Sequence, residues 1–140
     1  MINQEGSGFL SRIPVVTKNI IIINLLFWMA SIVLPRIGID LIHIGGLHFP
    51  WATDFYAFQF ISYMFLHDTS SLSHVFFNMF AVFMFGRILE SVWGTQRFLI
   101  FYFVCGIGAG LLNSAVGWLE IHRLMEQYYA FQNAPSPALL

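Results

Sequence analysis

Charge is what this sequence has least of. Lys and Arg number 6 and Asp and Glu 7 in 140 residues, so charged side chains make up 9%, against about 25% in ordinary soluble domains. The six basic residues form no run or patch, which removes the electrostatic footprint that a nucleic-acid binder needs. Cysteine is nearly absent too. Cys105 stands alone in an apolar run, so no disulfide framework exists within the chain, and the residue reads as a small packing element. No small-x-small cleavage site precedes Pro35, which makes the first apolar segment a poor secretory leader.

What fills the chain instead is apolar. Hydrophobic residues reach 58%, aromatics 18% with 16 Phe, and the mean hydropathy is +0.73. A soluble core of this length cannot cover that much apolar surface, so the expected class is an integral, all-α membrane protein. A hydrocarbon core of about 30 Å needs roughly 20 helical residues. Three segments qualify, at about 14–34, 72–93 and 98–119. Met1 to Ser11 reads as a mobile tail, and Pro35 closes the first span. Within that span Asn24 either bonds a neighbouring helix or is one tolerated polar residue.

The connection over 35–66 is long. It holds Gly45-Gly46, Pro50 and an aromatic cluster that includes Trp51, Phe55, Tyr56 and Phe58, while Asp54 and Gln59 break every run of span length. Rings favour the headgroup level, so an interfacial loop with short helices is expected there. Gly106, Gly110, Ser114 and Gly117 give the third span a stripe of small residues suited to close helix packing. Arg87 and Glu90, three apart, are expected to form an ion pair at a helix end. Glu120 to Gln132 reads as a short surface helix and Asn133 to Leu140 as loop.

The second span is the unusual one, because it carries His74 and Asn78 inside its apolar run. At i and i+4 they share a helical face. Polar side chains are costly in lipid unless they find partners or a wet cavity, so the pair marks a candidate site. His67 precedes it.

His67, the His74-Val-Phe-Phe-Asn78 spacing, Gly86, and Leu89-Glu90 followed by Gly94 resemble the second transmembrane helix of the rhomboid intramembrane serine proteases. The resemblance continues through Phe98-Leu-Ile-Phe-Tyr102 and Gly106-Ile-Gly-Ala-Gly110, and covers about Phe58 to Gly110. It implies a rhomboid-like helical bundle that cleaves transmembrane proteins, with His74 and Asn78 stabilising the oxyanion. For His67 it favours a structural hydrogen bond at the helix start over a direct role in the site. Rhomboids carry a Gly-x-Ser-Gly nucleophile on a fourth helix and a catalytic His on a sixth, and neither motif is present. The chain is therefore expected to be one rhomboid-like domain over 1–140, incomplete at its C-terminus, corresponding to the N-terminal half through the third transmembrane helix. No catalytic residue is expected within it; the nucleophile Ser and base His fall beyond Leu140, in helices supplied in cis. Alone it is expected to be inactive. The family's common Trp-Arg is Phe58-Gln59 here, which weakens transfer of that pair's role.

Ser114 lacks the preceding glycine of a nucleophile motif, and a Ser114–His74 dyad is disfavoured. Metal or haem binding through His67 and His74 is weighed and set aside for want of further ligands; no metal and no cofactor are assigned. The alternative function is a non-catalytic rhomboid-like protein binding transmembrane clients. Expected partners are transmembrane substrates or clients and the lipid bilayer, with no nucleic acid. Arg12, Lys18, Arg87 and Arg97 outnumber Arg36 and Arg123 across the spans, which predicts a cytoplasmic N-terminus and an outside C-terminus.

Overall fold

A computed structural model describes residues 12–133; the readings for the first tail and for the loop after Asn133 fall outside them. Helix accounts for 79% of the described residues, which contain no strand. The order is α1 (Val15–Val33, running into a 3₁₀ turn at Leu34–Ile37), α2 (Leu41–Gly45), α3 (Gln59–Ser62, followed by a 3₁₀ turn at Tyr63–Phe65), α4 (Leu72–Trp93) and α5 (Thr95–Gln132). Three helices are long and apolar enough to span a membrane: Val15–Ile37, Leu72–Trp93 and Thr95–Gln132. No fourth span forms between them, because α3 holds only 4 residues.

The burial pattern is inverted relative to a soluble bundle. In α1 the buried residues are Thr17, Ile20, Asn24 and Ser31, whereas Leu25, Leu26, Phe27 and Met29 are exposed. Lipid offers apolar side chains no reason to leave it, so close packing and polar contacts decide which face turns inward. Asn24 Nδ2 donates to the Ile20 carbonyl at 2.7 Å and Ser31 Oγ to the Phe27 carbonyl at 2.9 Å. The Ser31 hydroxyl and the Asn24 amide nitrogen are thereby bonded on their own helix, while Asn24 Oδ1 is buried without a hydrogen-bond partner among the described residues.

α4 turns its own buried residues, Val75, Met79, Gly86 and Glu90, to that face. A π-helical turn over Val82–Gly86 interrupts it. Gly86 lies where the helices come closest, since a Cβ there would stand 3.0 Å from Thr17 Oγ1 and 3.1 Å from Phe98. The expected Arg87–Glu90 ion pair is not what forms. Glu90 instead reaches across to the start of α1, and Arg87 lies over the Phe83 ring at 5.7 Å. Pro14, at the N-cap of α1, has no side chain able to cap it, so the first-turn donors of α1 draw the carboxylate away from solvent. Gly94, with φ 82°, makes the tight reversal into α5.

α5 corrects two readings. It begins at Thr95, and it runs without interruption to Gln132, absorbing the segment expected to form a separate surface helix. No proline or glycine follows Gly117 within it, and Leu, Met, Glu and Gln there favour helix. Its small-residue stripe receives the 47–66 segment. A Cβ on Gly106 would run into Met64, and one on Gly110 would lie 3.1–3.2 Å from Leu47, Phe60 and Tyr63. The Tyr63 hydroxyl donates to the Gly106 carbonyl.

Candidate functional site

His74 and Asn78 stand one turn apart near the start of α4, as their spacing requires. Their side chains meet, with Asn78 Nδ2 3.4 Å from His74 Nε2, and both residues are exposed. An amide NH2 only donates. In this pose Nε2 accepts and the His74 proton sits on Nδ1, which leaves a second amide hydrogen and the Nδ1–H free to serve another group.

His67 lies beside them, its ring centroid 6.1 Å from that of His74. It is buried, and its Nδ1 has no hydrogen-bond partner among the described residues. Burial is the main cause holding its imidazole below the usual 6.5, and nearby His74 acts in the same direction. Asp68, next in sequence, is kept ionised below its ordinary range by the Ser70 backbone N–H at 2.8 Å and the Ser70 hydroxyl at 2.7 Å.

An open cleft of about 530 Å³ adjoins this group and is lined by Gly46, Leu47, Tyr63, His67, Asp68 and Asn113, among others. Burial raises the Tyr63 phenol above its ordinary value, so it remains a neutral donor. Sequence reasoning assigned no role to Tyr63 or Asn113. Nothing in their local pattern separates them from packing residues; only the seating of α3 on α5 brings them to the cleft. Ser114 is not drawn into the site, for its Oγ donates to the Gly110 carbonyl at 3.0 Å, one turn back in its own helix.

The polar groups thus gather at one end of α4, beside a cleft. The family model for the Rhomboid domain matches residues 54–121. Over these residues the chain is similar to the rhomboid family. The rhomboid match takes in His67, His74, Asn78, Glu90 and the whole small-residue stripe, while α1 and α2 lie before it. Neither the comparison with curated proteins nor that with solved structures returned a match.

Proposed function

We propose that this chain is the oxyanion-stabilising part of a rhomboid-type intramembrane serine protease, acting on transmembrane proteins at the outer side of the bilayer. The observation that carries it is the convergence of His74 and Asn78, with donors to spare, on an exposed face of a membrane-spanning helix. When a nucleophile attacks a peptide carbonyl, negative charge gathers on the oxygen, and fixed N–H donors aimed there lower the barrier. The Asn78 amide and the His74 ring offer two. This reading needs a nucleophilic Ser and a base His from further helices, since no Gly-x-Ser-Gly occurs in these residues and Ser114 is bonded to its own backbone.

In this reading the N-terminus is cytoplasmic. The connection from α1 to α4 then lies at the outer interface, where its exposed Trp51, Tyr56 and Phe58 suit the headgroup level. His74 and Asn78 share that side. The second reading, a rhomboid-like protein that binds transmembrane clients without cutting them, is favoured by the same lack of a Gly-x-Ser-Gly motif.

Reconstituted in lipid with a single-span substrate, these 140 residues should release no more product than empty vesicles. Cleavage abolished by Ser114→Ala would overturn the assignment. In a protein that supplies the Gly-x-Ser-Gly helix, Asn78→Ala should slow turnover by about one to three orders of magnitude. Unchanged turnover would reject the oxyanion role of the pair, whereas no cleavage by the unaltered protein would leave the client-binding reading.

A further inference from the structure

We infer that the connection between α1 and α4 carries a binding site for one divalent transition-metal ion of the zinc class, with His43, His48 and Asp54 as its protein ligands. One ligand atom from each residue lies within 4.8 Å of both others. His43 Nε2 lies 3.8 Å from Asp54 Oδ2, and the two imidazoles stand edge to face with centroids 5.4 Å apart. Ligands held about 2.0–2.2 Å from a tetrahedral zinc ion are roughly 3.3–3.6 Å from one another. The cluster therefore needs to contract by about an ångström at its widest, which side-chain rotation at the exposed His43 and Asp54 supplies.

Two features outside the cluster prepare it. His48 Nδ1 lies 3.0 Å from the Gly46 carbonyl. A carbonyl only accepts, so Nδ1 carries the proton and Nε2 keeps its lone pair, the tautomer that a metal-binding histidine adopts when its other nitrogen is fixed by an outer partner. The second feature is Gln59. Its side chain is 1% exposed, and its Oε1 accepts from the backbone N–H groups of His48 and Tyr56, both at 3.3 Å. Its Nε2 donates to the carbonyls of Ile44 at 3.2 Å and Asp54 at 2.9 Å. One buried amide thus ties together the three backbone segments that bear the ligands. Asp40 adds to this by capping α2, its Oδ1 accepting from the N–H groups of Ile42 and His43 at 3.0 Å each.

An exposed His–Asp pair contributes little to stability, so the contact between His43 and Asp54 does not account for this ordering. The scaffold is built without it: His43 and Asp54 line a recess with Ile44, Tyr56 and Phe58, and the His48 ring stands against that of His43. Two nitrogens and one carboxylate suit zinc with a fourth position left for water. Magnesium and calcium, which require oxygen-rich shells, are poorly matched. The sequence reading assigned no metal here, because His43, His48 and Asp54 follow no familiar ligand spacing.

The test titrates the untagged chain in lipid nanodiscs with Co²⁺, read by visible absorption, and then displaces the cobalt with Zn²⁺. One ion per chain is expected, with a spectrum distinct from that of the aqueous ion. His43→Ala, His48→Ala and Asp54→Asn should each weaken binding at least about tenfold, while His122→Ala, distant in sequence and outside the cluster, should leave it unchanged. Saturating Zn²⁺ should raise the melting temperature of the unaltered chain but not of Asp54→Asn, whose metal-free melting temperature serves as the check on folding. Absence of a bound-cobalt spectrum, uptake alike in the chain and all three ligand variants, or loss on His122→Ala overturns the assignment.

Discussion

The two ends of α4 treat polar groups in opposite ways. At one end Glu90 is 4% exposed. It accepts from Val16 N at 2.9 Å, Thr17 N at 2.7 Å, Thr17 Oγ1 at 2.8 Å and Thr95 Oγ1 at 3.2 Å. At the other, exposed His74 and Asn78 share a single contact of 3.4 Å. One helix thus carries a saturated polar station and an unsaturated one. A buried carboxylate with all its lone pairs engaged holds three helices in register and has nothing left to offer a substrate. A pair with unspent donors contributes little to the fold and is free to meet charge that develops elsewhere.

Stability measurements can break this contrast. Glu90→Ala strips the first turn of α1 of its acceptor and leaves buried donors without partners, so a loss of about 3–5 kcal/mol is expected. Thermal or denaturant unfolding in micelles would measure it, and a cost under one kcal/mol would show the station to be dispensable. Gly86→Val places a side chain against Thr17 and Phe98 and should cost about 1–3 kcal/mol. A neutral result there would mean that α1 and α4 are not as closely seated as Glu90 requires.

His67 sharpens the contrast through pH. Its folded imidazole titrates below 6.5, so the unfolded chain takes up this proton first and acid favours unfolding. The His67 contribution should be fully present above about pH 6.5 and decline as pH falls toward the folded value. The melting temperature followed from pH 7.5 downward, compared with that of His67→Gln, isolates it; identical profiles would remove His67 from the account. The smallest effect belongs to Asn78→Ala, expected to shift stability by no more than about 0.5 kcal/mol, as at exposed positions in general. A loss comparable to that of Glu90→Ala would make the pair structural glue.

Much of this was legible in the sequence for a definite reason. Span length, the i, i+4 relation of His74 to Asn78 and the small-residue stripe are local properties of one helix, and each appears where its spacing puts it. What was illegible depends on a second element. Arg87 and Glu90 are close enough on a helix to pair, but the uncapped start of α1 competes for the carboxylate and wins. The stripe on α5 announced close packing without saying that the 47–66 segment would fill it. Gln59 read as an interruption of an apolar run, whereas it is the four-bonded centre of the loop. The end of α5 was missed because polarity after Leu119 signals departure from lipid and not the end of a helix.

That last helix and the wide turn in α4 differ in one further respect. A π turn fits five residues into a rotation that an α-helix completes with fewer, so the Val82–Gly86 turn alters the angular phase of everything before it by roughly 90° relative to everything after. The dial position of His74 and Asn78 with respect to Glu90 is therefore fixed by this turn as much as by the count of residues between them. Winding the same five residues as ordinary α-helix would leave a helix still long enough to cross the bilayer, every polar side chain still present, and the two stations out of phase. With Glu90 anchored at α1, the donors would sweep round by about a quarter turn and address a different neighbour.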